Sequence, residues 1–249
     1  MKNVVIQGDC IEVLKKAKGE VQGVLTSPPY NVSRNTGDKY CTKYTTYKDT
    51  ISNDEYIAWQ VELFKLLDNV LATNGCILYN INYGSENTDT IWRVIAAIIE
   101  KTPFTTADQI IWKKKTAIPN NMSQSKLTRI TENIFVFCRK TELNTFTSNK
   151  KVTGVRKTGQ KNYENVYNFI EAPNNNQGEH TKVHKATFSI ELAETLLNMY
   201  FKKGDKILDP FAGTGTTGVA ANKLGMDFVG IELDETYVDI IHNRLAKGE

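Results

Sequence analysis

Lys206 to Gly218 reads K-I-L-D-P-F-A-G-T-G-T-T-G. A short apolar stub meets a proline, glycines follow at 213, 215 and 218 in a G-x-G-x-x-G spacing, and the chain then turns helix-compatible. Nineteen residues after Gly213, at the end of the next apolar run D-F-V-G-I-E, stands Glu232. Strand, glycine turn, helix, strand and terminal acid are the parts of a nucleotide-binding βαβ unit. The glycines let backbone approach a ligand, and the acid accepts hydrogen bonds from ribose hydroxyls. The stretch therefore predicts an adenosine-type ligand and leaves open whether it is a dinucleotide or another adenosine cofactor.

Outward from this unit the same alternation continues. Apolar, β-prone runs lie at 3–8, 21–26, 75–81, 108–112, 133–138, 206–209 and 227–232, and helix-period segments at 10–18, 54–71, 88–101, 189–201, 216–224 and 236–246. Alternating strands and helices predict an α/β fold with a seven-stranded, mostly parallel, doubly wound sheet covered on both faces. Two stretches interrupt it. Residues 31–53 are polar and aperiodic and read as a long loop. Residues 139–183 are basic, carry N-N-N-Q at 174–177, and read as an inserted segment between a body formed by 1–138 and 184–249.

The net charge of +3 says little, but its distribution is polarised. From Ile111 to Lys161 there are twelve Lys or Arg against Glu132 and Glu142, a local +10 that leaves −7 for the remainder. Such a block suits a phosphate-binding face, with Lys113, Lys114, Arg156 and Lys157 as candidate nucleic-acid contacts, although charge runs also form solvated surface. Cys10, Cys41, Cys76 and Cys138 are scattered with no C-x-x-C pair, which fits a reducing compartment. His180 and His184 stand i, i+4 but have no third ligand nearby, so no metal is expected. No apolar run approaches the roughly 20 residues of a bilayer span, and the expected setting is the cytoplasm, with no membrane partner.

After the second apolar run stands T-S-P-P-Y-N, Thr26 to Asn31. Two prolines have no amide hydrogens and fixed φ, so they end the ladder and hold the chain extended. The carbonyls of Ser27 and Pro28 are then without ladder partners, beside the Ser27 hydroxyl and the Tyr30 ring. Such a turn can receive a planar amine, or it can be a turn and nothing more.

D-P-F-A-G-T-G-T-T-G followed by F-V-G-I-E-L-D, combined with T-S-P-P-Y, resembles the amino-group DNA methyltransferases that use S-adenosylmethionine. The order matches their β arrangement, a Rossmann-like methyltransferase fold with permuted motifs. There the catalytic S/D-P-P-Y is N-terminal, the cofactor motif is C-terminal, and a target-recognition segment lies between. G-D-C-I at 8–11, G-C-I-L-Y-N-I, I-I-W-K-K-K, T-E-N-I-F-V-F-C-R-K and H-K-A-T-F at 184–188 extend the likeness over most of the chain.

The resemblance implies that Ser27, Pro28, Pro29 and Tyr30 are catalytic. Asp209, Phe211, Gly213 and Gly215 would border the methionine and ribose end of the cofactor, Glu232 would take the ribose hydroxyls, and Asp9, Cys10 and Ile11 would surround the adenine. His184 to Phe188 would close the methionine end. Asp9 as a helix cap, Cys10 as a buried thiol, and Phe188 and Phe211 as core residues are the structural alternatives. Ser27 before the prolines, and Phe188 where many adenine-modifying relatives carry lysine, point to N4 of cytosine; N6 of adenine is the alternative. Methylation at carbon 5 needs a Pro-Cys nucleophile, and no such pair occurs. Double-stranded DNA is the implied partner, with a cognate restriction endonuclease beside a monomer or homodimer. A nicotinamide-dependent oxidoreductase would use the glycine turn but leave T-S-P-P-Y unexplained, and a non-enzymatic nucleic-acid-binding module would leave the glycine turn unexplained. RNA or a protein glutamine amide are other acceptors that such motifs serve.

Overall fold

The computed structural model describes residues 2–31, 51–83, 88–115, 124–174 and 188–248. In chain order it forms β1 (Asn3–Gln7), α1 (Cys10–Lys16), β2 (Val21–Thr26), α2 (Asn53–Asp68), β3 (Leu71–Ile81), α3 (Thr90–Lys101), β4 (Phe104–Lys114) and β5 (Thr131–Arg139). There follow β6 (Val152–Val155), β7 (Lys161–Tyr163), β8 (Phe169–Ala172), α4 (Ile190–Tyr200), β9 (Lys206–Asp209), α5 (Thr216–Lys223), β10 (Asp227–Glu232) and α6 (Glu235–Lys247).

The main sheet has the order β1-β10-β9-β2-β3-β5-β4-β8. β1, β10, β9, β2 and β3 run parallel in succession, β5 is antiparallel to both β3 and β4, and β8 is parallel to β4. All seven expected strands are in this mostly parallel sheet, which has eight among the described residues. The eighth, F-I-E-A, is too short and too polar-flanked to register as an apolar run. It joins because Ile170 and Ala172 point inward while Trp112 donates its indole N–H to the Ala172 carbonyl at 3.1 Å. Part of the 139–183 segment thus extends the main sheet, and β6 and β7 make a separate antiparallel hairpin.

Helices cover both faces. α1, α2 and α3 bury Leu14, Tyr56, Phe64 and Ile98 against one side, where Phe64 meets Tyr79, Phe104 and Phe137 edge-on at 4.9 to 5.8 Å. α4, α5 and α6 bury Leu192, Leu196, Ala220 and Ile241 against the other, around Phe228. The starts are set by local chemistry: Asp9 accepts from the amides of Ile11 and Glu12, and Ser52 and Glu55 form a reciprocal capping box. Arg139 closes β5 by pairing with Asp68 at 2.6 Å and donating to the carbonyls of Leu71 and Ala72. That basic residue holds the sheet together rather than facing a ligand. Among the described residues no helix is long and apolar enough to cross a membrane.

Candidate active site

In a doubly wound sheet the loops beyond the carboxyl ends of the strands form the ligand crevice. Here the turns after the adjacent strands β1, β10, β9 and β2 are stitched to one another. Gly8 N–H donates to the Glu232 carbonyl at 2.9 Å, and Gly213 N–H donates to Glu232 Oε2 at 2.7 Å. Asp234 N–H donates to Glu232 Oε1 at 2.9 Å. Burial raises the Glu232 carboxyl above its ordinary range, opposed by those amides. Gly213 and Gly215 adopt φ of 53° and 82°, a left-handed backbone that L side chains disfavour. Beneath the loop, the fully buried Arg244 of α6 donates Nη1–H to the Thr214 carbonyl at 2.6 Å. A turn with glycine at 213 and 215 beside a carboxylate fits a ribose-bearing ligand. Among the described residues no group of three or more His, Cys, Asp or Glu could hold a metal ion.

Asp209 joins this turn to the proline turn. Its Oδ1 accepts from Thr26 Oγ1–H at 2.7 Å and from Phe211 N–H at 3.0 Å, while Oδ2 accepts from Thr217 Oγ1–H at 2.6 Å. Burial pushes its carboxyl from 3.8 up to about 6, and the three donors oppose that rise. The folded chain therefore holds this proton more tightly than the unfolded chain does. The resulting stabilisation is complete below the unfolded value and is lost as pH rises through about 6. Between these values the wild type should lose up to about 3 kcal/mol of stability that Asp209→Asn does not lose. Urea denaturation of both proteins across that range checks it; parallel profiles would mean that Asp209 ionises at its ordinary pH.

The proline turn is held from several sides. Tyr56 O–H donates to the Pro29 carbonyl at 2.6 Å, and none of the described residues donates to the Pro28 carbonyl. Asn31, at φ 50°, ends the turn and donates its amide to the Ile51 carbonyl. The Tyr30 hydroxyl lies 3.1 Å from Ser27 Oγ, 3.2 Å from Asn80 Oδ1 and 3.0 Å from Glu132 Oε2. Glu132 Oε1 pairs with Lys114 Nζ at 2.5 Å. Sequence reasoning missed Asn80 and Glu132. Their signal was a polar residue at the end of each of two apolar runs, Asn80 in C-I-L-Y-N-I of β3 and Glu132 ahead of I-F-V-F-C in β5.

Of the other expected site residues, Phe211 stands edge-on to Trp59, with ring centroids 5.4 Å apart. Asp9 caps α1 and Ile11 lies in its first turn, next to the Gly8 amide that meets the Glu232 carbonyl, and Cys10 is buried there with its thiol pushed up to about 12 by desolvation. Phe188 lies in the core among the residues that α4 covers. Lys113 pairs with Glu171, and Lys115 with Glu191 at 2.8 Å, so these two, like Lys114 and Arg139, are matched by carboxylates. Arg156 sits at the exposed end of the β6–β7 hairpin, its Nε–H on Asn162 Oδ1 at 2.9 Å, and Lys157 follows in the turn. Cys41, His180 and His184 to Thr187 lie outside the described residues, as does most of the 31–53 loop.

The family model described as DNA methylase, of the N6/N4 type, matches residues 21–243. The Type II methyltransferase M.HinfI of Haemophilus influenzae is 26% identical over 98% of this chain and 68% of its own length. M.Cfr9I of Citrobacter freundii is 28% identical over 97% of this chain and 87% of its own. Among solved structures, PvuII DNA methyltransferase (cytosine-N4-specific) superposes with a TM-score of 0.74 at 20% identity, covering 100% of this chain and 94% of that one. The M1.HpyAVI-SAM complex gives 0.68 at 22% identity, covering 98% of each chain. At these identities the two structures share the fold.

Proposed function

The chain belongs to the N6/N4 DNA methylase family, and from that premise we propose that it transfers the methyl group of S-adenosylmethionine to the N4 amine of cytosine at a specific sequence in double-stranded DNA. The observation that carries this reading is the 2.7 Å bond from Thr26 to Asp209, because it locks the amine-receiving turn to the cofactor turn. The choice of cytosine is supported by Ser27 ahead of the prolines and by the specificity named for the PvuII neighbour. A nicotinamide-dependent oxidoreductase is not favoured, since the DNA methylase match spans both turns.

S-Adenosylmethionine supplies an electrophilic methyl on a sulfonium sulfur. Asp9, Cys10, Ile11, Asp209, Phe211, Gly213, Gly215, Glu232 and Phe188 are the residues proposed to hold it. An exocyclic base amine is a poor nucleophile because its lone pair is delocalised into the ring. Ser27 Oγ and the Pro28 carbonyl accept hydrogen bonds from its two hydrogens and draw nitrogen toward tetrahedral geometry, and their fixed placement supplies the orientation on which the rate depends. The amine releases one proton to solvent as it gains the methyl group. Pro28 and Pro29 keep those acceptors from collapsing into a ladder. The base must leave the duplex to reach them, and the Tyr30 ring gives it a π face.

The 139–183 segment is proposed to recognise the target, with the β6–β7 hairpin carrying Arg156 and Lys157 to phosphates. Lys113 and Lys114 belong to the same proposed face but are already matched by Glu171 and Glu132. Neutralising Arg156 and Lys157 together should weaken binding to all duplexes and flatten log K against log salt by up to about two counterions. An unchanged slope would assign those charges to solvent. A partner restriction endonuclease and a cytoplasmic setting complete the proposal. The direct test of the cofactor is thermal melting: S-adenosylmethionine at a hundredfold excess over Kd should add about 2.7 kcal/mol of stability, and NAD none. Stabilisation by NAD alone would overturn the reading.

A further inference from the structure

We propose that Glu132 is a positioning residue that fixes the hydrogen-bond polarity of Ser27, so that the Ser27 oxygen faces the target amine as an acceptor only. The inference rests on the amine-transfer reading above and deepens it. Tyr30 has one hydroxyl hydrogen, and among its contacts with the described residues are three oxygens, those of Ser27, Asn80 and Glu132. Two of these only accept. Glu132 is a carboxylate whose second oxygen pairs with Lys114 at 2.5 Å. Asn80 is oriented by its own amide, which donates to the Asn133 carbonyl at 3.1 Å and to Glu132 Oε2 at 3.2 Å, so its Oδ1 turns toward Tyr30. Flipping Asn80 would set its oxygen against two others.

The Tyr30 hydrogen is therefore drawn to Glu132 or Asn80, and Tyr30 shows Ser27 a lone pair. The Ser27 hydrogen answers that lone pair across 3.1 Å, which leaves the remaining lone pairs of Ser27 Oγ free for the amine. A serine free to rotate would spend part of its time presenting a hydrogen to an amine hydrogen. Glu132 itself is buried at 9% exposure, and its contacts with Tyr30, Asn80 and Lys114 offset the cost of burying a carboxylate. It needs no contact with the base to do this.

The test is a double-mutant cycle on Glu132→Gln and Tyr30→Phe, read by single-turnover methyl transfer to duplex DNA, with cofactor affinity and melting temperature measured for each protein. Glutamine turns its oxygen to Lys114 and its N–H groups to Tyr30 and to the Asn80 amide, which must flip to accept from them and then shows Tyr30 its own N–H instead of Oδ1, so the Tyr30 hydrogen is left to Ser27. The expected result is a loss of roughly 10- to 100-fold in kcat, with KM for the duplex and cofactor affinity unchanged. In the Tyr30→Phe background the same change at 132 should cost less than about twofold, because Ser27 no longer senses residue 132. An equal loss in both backgrounds, or full kcat in Glu132→Gln, would overturn the proposal. If Glu132→Gln does not fold, Tyr30→Phe alone decides: it should lose roughly tenfold, and full kcat there overturns the proposal as well. A wild type that transfers no methyl to any duplex would instead bring down the amine-transfer reading, and this inference with it.

Discussion

Gly213→Val is expected to abolish S-adenosylmethionine binding, with an affinity loss of at least about 100-fold, close to 3 kcal/mol, while the protein still folds. Gly213 has φ 53°, where an L residue costs roughly 1–2 kcal/mol and a β-branched one more. Its amide reaches Glu232 Oε2 at 2.7 Å, so any shift that relieves this strain also moves the acid proposed to take the ribose. The sheet beneath is insulated from the change, because the parallel ladder ends at Asp209 and Glu232. Calorimetry with purified variant and wild type measures both quantities. Unchanged cofactor affinity would remove the glycine turn from the binding site.

Tyr30→Ala is expected to keep cofactor affinity and lose turnover by at least about 100-fold. Removing the ring forfeits base stacking worth roughly 1 to 3 kcal/mol. Removing the hydroxyl also leaves Ser27, Asn80 and Glu132 without their common partner. Both losses fall on the proline turn, whereas the bond between Thr26 and Asp209 that supports the cofactor turn remains. Stopped-flow or quench-flow transfer assays at saturating cofactor separate the two steps. A variant with full turnover would take Tyr30 out of the site.

The turns were legible in the sequence because their chemistry is local. Pro28 and Pro29 stop a ladder wherever they stand, and Gly213 and Gly215 mark a backbone path that other residues resist. The start of α1 was legible for the same reason, through Asp9. What the sequence hid is what long-range register assembles. Asn80 and Glu132 are brought side by side by the antiparallel pairing of β3 with β5, so neither reveals a partner from its own neighbours.

Lys114 read as part of a phosphate-binding block, yet β4 carries it to the Glu132 carboxylate, a pairing that the alternation of side chains along two strands decides. Arg244 drew no reading from the sequence, since only the packing of α6 under the glycine turn buries it. β8 escaped because four residues carry too little periodicity, and the exposed edge of β4 was what recruited them. Local chemistry thus located the two turns, while the groups that set their protonation and hydrogen-bond polarity came from tertiary structure.

The measurement that bears most directly on the central claim is nucleoside mass spectrometry of duplex DNA after incubation with the protein and S-adenosylmethionine. The account predicts N4-methylcytosine, abolished in Ser27→Ala, whose side chain has no acceptor for the amine. N6-methyladenine as the sole product would contradict the choice of base while leaving amine transfer in place. Duplex DNA with no methylated base across diverse sequences would contradict the account itself.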